Sequence, residues 1–263
     1  MNDKHGLLPP YAASWNELAT EDAAAWLPAG LDHRARPMLA CWWADVLCLC
    51  RSAWAMLRAN RLKLLCFMTA GAALVCWLMP QDLALLARLR WAEDAPDNAA
   101  IHGLARWLSY WGDLAGFNMF VFVTLTCFAF VRRSSFFRRL VLAAVVGTVL
   151  TGGVANLVRV STGRARPGSN VPAGFYGPTL SARKQSFPSA HTATSFGACV
   201  PLAVAFPPAG VPLLAVSGGV AWSRLQNNCH HPSDVLTSVL LACVFGVPLG
   251  LTVRRMRRAA ASV

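Results

Sequence analysis

LVLAAVVGTVLTGGVANLV, residues 140–158, runs for nineteen positions without a charged side chain. A helix rises about 1.5 Å per residue, so roughly 20 apolar residues cross the hydrocarbon core of a bilayer. Lipid offers no partners to unpaired backbone groups, and an apolar run of this length satisfies its own only as a helix. Similar runs recur at 64–80, 114–131, 191–208, 209–222 and 235–253, with Phe206-Pro207-Pro208-Ala209-Gly210 dividing the pair at 191–222 into a helical hairpin. The expected fold is therefore all-α, a polytopic membrane helix bundle with six transmembrane helices over residues 64–253. Residues 38–57 (MLACWWADVLCLCRSAWAML) are also helical in pattern, but Asp45 and Arg51 interrupt them. An N-terminal interfacial helix is expected there rather than a span. Residues 1–63 then make a cytoplasmic and interfacial segment, and 254–263 a basic cytoplasmic tail.

Composition supports a membrane setting. Of the 263 residues, 56% are hydrophobic and 14% charged, well below the ~25% charged of ordinary soluble domains. The net charge of +12 is unevenly spread: residues 114–263 hold fourteen Lys/Arg and one acid, Asp234. Nucleic acid is a poor partner for this charge, because the basic residues lie between long apolar runs. The nine Cys show no paired metal-ligand spacing and fall mostly in apolar runs, where Cys is a small hydrophobe. No disulfide framework is read. The start of the chain lacks a basic stretch followed by an apolar core, and so does not read as a cleavable signal peptide.

Arginine placement sets the expected orientation. Arg58, Arg61 and Lys63 precede the first run, Arg132, Arg133, Arg138 and Arg139 separate the second from the third, and Arg254, Arg255, Arg257 and Arg258 follow the last. An even number of spans puts these clusters on one side, the cytoplasm, together with both termini. Segments 81–113, 159–190 and 223–234 fall on the other side. The basic residues of the last two break the positive-inside pattern, which points to a site.

Three polar stretches meet on that face: RVSTGRARP (159–167), SFPSAHTATS (186–195) and SRLQNNCHHPSD (223–234). His230 and Asp234 are four apart and would share a helical face, with Pro232 suited to the first turn. A carboxylate behind an imidazole fixes its tautomer and stabilises its cation, which prepares a nucleophile or base. The same pair also reads as a capping Asp beside a solvated His. Ser189 and His191 open an apolar helix, whose N-terminus binds anions. They also read as an N-cap and an interfacial His. Arg159, Arg164, Arg166 and Arg224 offer planar forks of donors to phosphate, or contact lipid headgroups. Together the stretches suffice for phosphoryl transfer, which is mostly positioning and charge stabilisation. A metal held by His191, His230, His231 and Asp234 is the rival reading. Four arginines repel a cation, so no metal or other cofactor is expected. His231 is taken as a neighbour of the site, and Cys229 is given no role.

These motifs resemble those of the type 2 phosphatidic acid phosphatase (PAP2) superfamily. Its signature is Lys-x6-Arg-Pro, Pro-Ser-Gly-His and Ser-Arg-x5-His-x3-Asp. Here it reads Arg159-x6-Arg166-Pro167, Pro188-Ser189-Ala190-His191 and Ser223-Arg224-x5-His230-x3-Asp234. Two positions depart from it: Arg159 stands for Lys, and Ala190 for Gly. The Ala matters only if the backbone there needs positive φ. The resemblance implies a membrane hydrolase, a lipid phosphatase without a metal. His230 would form a phosphohistidine, Asp234 would orient it, and His191 would be the general acid. Arg159, Arg166, Ser189, Ala190 and Arg224 would bind phosphate. It implies a lipid phosphate or lipid diphosphate as partner, in a plasma membrane of the bacterial inner-membrane type, with the site facing outward. A lipid phosphotransferase and a non-catalytic lipid-binding protein remain as alternatives. The loop 168–187, with Arg183 and Lys184, is expected to shape the entrance. Segment 81–113, with Trp91, Trp107 and Trp111, is expected to gate access from the membrane.

Overall fold

The computed structural model describes residues 38–92, 98–112 and 114–261. Expectations for residues 1–37 lie outside the described residues. The regular elements of the described residues are all helical, with no strand and only an isolated bridge between Arg164 and Phe175 in the loop that follows residue 162. Helix α1 is Met38–Ala59 and α2 is Arg61–Leu78. A 3-10 turn at Met79–Gln81 links α2 to α3, Asp82–Leu89, where Pro80 removes a backbone donor and breaks the α-helical ladder. Helix α4 is Ala99–Trp111, and a π-helical turn at Leu114–Asn118 leads into α5, Met119–Val131. Then follow α6 (Ser135–Thr162), α7 (Ala190–Ala205), α8 (Pro207–Gln226) and α9 (Pro232–Ala261).

Among the described residues, four helical stretches are long and apolar enough to cross a membrane: Arg61–Leu89, Leu114–Val131, Ser135–Thr162 and Pro232–Ala260. The runs at 191–208 and 209–222 form α7 and α8, and the hairpin breaks at Phe206 as the prolines require. Helix α7 has only 16 residues. It is also the centre of the bundle, packed against α6, α8 and α9. That burial accounts for its content of Thr192, Ser195 and Pro201, since neighbouring helices rather than lipid surround them. Close approach to α6 depends on small residues: a Cβ added at Gly147 would lie 2.3 Å from the Gly197 carbonyl oxygen. Helix α2, by contrast, buries only Gly71 and Val75 and leaves Leu62, Leu65, Met68, Leu74 and Trp77 exposed. So apolar a periphery suits a membrane protein, whose solvent is lipid.

Helix α1 packs on α6 and α9. Its Asp45, buried to 7% exposure, accepts hydrogen bonds from Arg138 Nε at 2.6 Å and Arg139 Nε at 3.0 Å. The acid that interrupts the apolar pattern of α1 is thus its link to the bundle. The basic end of the chain is not separate from the bundle either, because α9 continues through Arg254, Arg255, Arg257 and Arg258.

Candidate active site

The site is built where α6, α7 and α9 end or begin. Helix α6 stops at Gly163, whose φ of +62° is left-handed and whose added Cβ would meet the Gly177 carbonyl oxygen at 2.0 Å. Only glycine fits there. The stop turns the chain so that Arg159 stays on the helix while Arg164 and Arg166 enter the loop. The loop is tied down by backbone bonds from Arg166 N–H to Arg183 O (2.9 Å), Ser186 N–H to Arg164 O (3.0 Å) and Gly168 N–H to Asn228 O (2.9 Å). The first and third motifs are thereby stitched together.

His230 is 1% exposed. Its Nδ1 lies 2.8 Å from the Ser186 carbonyl oxygen. A carbonyl only accepts, so Nδ1 carries the proton and Nε2 keeps its lone pair. Asp234 Oδ2 is 3.8 Å from the same Nδ1, too far for a hydrogen bond but near enough for its charge to act. The expected helical face shared by His230 and Asp234 is not what forms. Helix α9 starts at Pro232, so His230 precedes it, and Asp234 sits in its first turn. There Asp234 Oδ2 accepts the His231 N–H at 2.7 Å, which is the backward-reaching half of a capping box. The capping reading and the neighbour-of-histidine reading describe the same side chain.

Asp234 is fully buried and held by more than the cap. Its Oδ2 also accepts from the Ser186 hydroxyl, and its Oδ1 from Arg164 Nη1, both at 2.6 Å. Ser186 therefore joins three elements through its N–H, its carbonyl and its hydroxyl. Arg164 is committed to the protein's own carboxylates rather than to a bound ligand: besides the bond to Asp234, its Nη2 donates to Asp82 Oδ2 at 2.6 Å and its Nη1 to the Ser233 hydroxyl at 2.7 Å. Neither Ser186 nor Asp82 has a role readable from the sequence. Each carries no motif, and Asp82 reaches Ser233 across 151 residues of chain.

The remaining motif arginines, Arg159, Arg166 and Arg224, keep donors free of protein partners. The Nε atoms of Arg159, Arg166 and Arg224 are buried without a hydrogen-bond partner. Among the described residues none of the three has a carboxylate partner. Arg166 is close enough to repel both Arg159 and Arg224, and Arg166 and Arg224 both act on His230. Three like charges held together with orphaned donors is an arrangement that an anion relieves. Arg224 Nη1 also donates to Ser109 Oγ, and Asn227 Nδ2 to Ala105 O at 3.2 Å, which docks α4 against the site. Burial, reinforced by Arg224 and Arg166 and opposed by Asp234, pushes the His230 imidazole below its ordinary range.

The second motif meets the others through Ser189, the N-cap of α7. Its N–H donates to the Asp234 carbonyl oxygen (3.3 Å), and its own carbonyl accepts from Ser238 Oγ (2.9 Å). Its hydroxyl makes no cap; it accepts from Thr192 Oγ1 at 3.0 Å, which leaves its own proton for another acceptor. Ala190 opens the helix and takes no positive φ, so Ala is compatible where the resembling motif has Gly. His191 follows on the first turn and is partly exposed. His231 donates from Nε2 to Ala165 O at 3.3 Å.

Against known proteins, the family model described as the PAP2 superfamily matches residues 140–258. That segment runs from within α6 to near the end of α9 and contains all three motifs. No curated protein and no solved structure matches the chain.

Proposed function

The chain belongs to the PAP2 superfamily through residues 140–258, and from that premise we propose that it is a membrane phosphatase acting on a phosphomonoester or diphosphate of a lipid. The observation that carries this reading is the trio of buried, unpartnered arginine Nε atoms beside a histidine whose Nε2 keeps its lone pair. An anion with several oxygens satisfies all three arginines, and phosphorus at its centre is what the lone pair attacks.

In the proposed reaction Arg159, Arg166 and Arg224 hold the phosphoryl oxygens. The Ser189 hydroxyl and the N–H groups of Ala190 and His191 at the α7 N-terminus assist. His230 Nε2 bonds to phosphorus as the bond from phosphorus to the leaving oxygen breaks. His191, protonated, gives its proton to that oxygen. Water then attacks the phosphohistidine, giving a proton back to His191, and the P–N bond breaks to release inorganic phosphate. The positive ring formed on phosphorylation is stabilised by Asp234. The arginines supply the positive charge that a metal supplies elsewhere, so the reaction is proposed as metal-independent. The apolar setting supports a lipid substrate: segments long enough to span a membrane flank the site, and α4 presents Leu104, Trp107, Tyr110 and Trp111 outward beside it.

The test is phosphate release from a short-chain lipid phosphate by the purified protein and by His230→Ala. The parent should release phosphate and the variant essentially none. Equal release by both would remove His230 as the nucleophile.

A further inference from the structure

Of the described residues that meet around Asp234, only Asp82 comes from outside the segment matched by the family. It is the first residue of α3, directly after the 3-10 turn that follows α2, and is 2% exposed. Its Oδ1 accepts the Ser233 N–H at 2.9 Å, and its Oδ2 accepts Arg164 Nη2 at 2.6 Å and the Ser233 hydroxyl at 2.5 Å. One guanidinium is thus shared between two buried carboxylates, Asp82 and Asp234.

That sharing has an electrostatic consequence. Paired with Asp234 alone, Arg164 would cancel its charge, and His230 would face Arg166 and Arg224 with nothing negative behind it. With Asp82 present the buried triad carries one net negative charge. Counted over Arg159, Arg164, Arg166, Arg224, Asp82 and Asp234, and leaving aside the proton that His191 delivers to the leaving oxygen, the fixed charges of the site sum to two positive. A phosphate monoester near neutral pH carries about two negative ones. We propose that Asp82 is a positioning residue of this site: by sharing Arg164 it leaves Asp234 a net charge behind His230 and trims the arginine cradle to match a phosphate dianion. This rests on the phosphatase reading above. The same negative charge stabilises the cationic ring that forms when Nε2 bonds to phosphorus. The other charged or titratable groups set about His230 are Asp234, Arg166, Arg224 and the adjoining His231, on which Asp82 also acts.

Asp82→Asn keeps the shape and removes the charge. Sulfate is the probe, because it is a dianion at all working pH values and is not turned over. The variant should bind sulfate several-fold to roughly tenfold more tightly than the parent, while kcat on a lipid phosphate falls by about tenfold or more. These changes have opposite signs. A residue that only supports packing would weaken binding and turnover together, and that outcome, or no change in either, overturns the proposal. The charge-conserving double variant Asp82→Asn/Arg164→Gln should return sulfate affinity toward the parent's. If Asp82→Asn does not fold, Asp82→Glu is read instead: it should keep the parent's sulfate affinity within a few-fold, and a large change in either direction contradicts the charge role. A parent that binds sulfate but releases no phosphate would defeat the phosphatase reading, while the sulfate comparison still decides the role of Asp82.

Discussion

His230 is buried among arginines, and that environment fixes the direction of its titration. The cation is disfavoured by burial and by Arg224 and Arg166, so the neutral ring persists below the ordinary histidine value of about 6.5. In the proposed reaction attack needs the neutral form. Activity should therefore be retained as pH falls through 6.5 and be lost only at the depressed value. The acid limb of kcat/KM, corrected for ionisation of the substrate, should lie below pH 6.5. A limb above that value would mean that Asp234 outweighs burial. His191 has a separate signature. If it protonates the leaving oxygen, His191→Ala should lower kcat by about 10²- to 10⁴-fold on a lipid alkyl phosphate, and far less on an aryl phosphate whose leaving group needs no proton. Equal losses on both would assign His191 to binding instead. These residues were legible because their types and spacing recur together: Arg159, Arg166, Ser189, Arg224, His230 and Asp234 announce themselves as a set. Ser186 and Asp82 were not. Their roles come from contacts made across 48 and 151 residues of chain, and a lone Ser or Asp has no periodicity to mark it.

At the scale of the helices, apolar runs located the elements and polar details set their ends. Helix α6 extends to Ser135, beyond the apolar run at 140–158, because Arg138 and Arg139 can be helical while bonding Asp45 of α1. The 3-10 turn at Met79–Gln81 follows from Pro80, and the helical stretch that continues to Leu89 is held against α8, where Gln226 Nε2 donates to the Leu89 carbonyl at 2.7 Å. The α6–α7 contact gives a paired test. Gly147→Ala places a methyl against the Gly197 carbonyl and should cost about 1–3 kcal/mol, seen as a lower thermal midpoint in detergent. Gly153→Ala, on the same helix with nothing within 4 Å of its added Cβ, should be neutral or stabilising by up to about 1 kcal/mol. Equal effects at both positions would mean that α6 and α7 do not approach as described.

At the scale of the molecule, the buried centre and the apolar periphery are arranged around one polar end. Six apolar runs predict six spans, while four helical stretches meet the length and hydropathy that a span requires. The difference rests on α7 and α8. The 16 residues of α7 fall just short of the roughly 17–25 of a lipid-exposed span, and packing on three neighbours removes the need for a longer apolar face. Counting α7 and α8 as spans makes the number even, which the proposed orientation needs if both ends of the chain are to lie in the cytoplasm. A reporter fused after Val263 should then be active only on the cytoplasmic side. Activity on the opposite side would invert the arrangement and put the site in the cytosol.

The central claim is that His230 carries the phosphoryl group. Its most direct test is to mix the protein with substrate labelled at phosphorus, quench in alkali where phosphohistidine survives, and locate the label by peptide mapping. The account predicts label on His230, absent from His230→Ala. Steady turnover with no trapped label, or label on His191 or another residue, would contradict it.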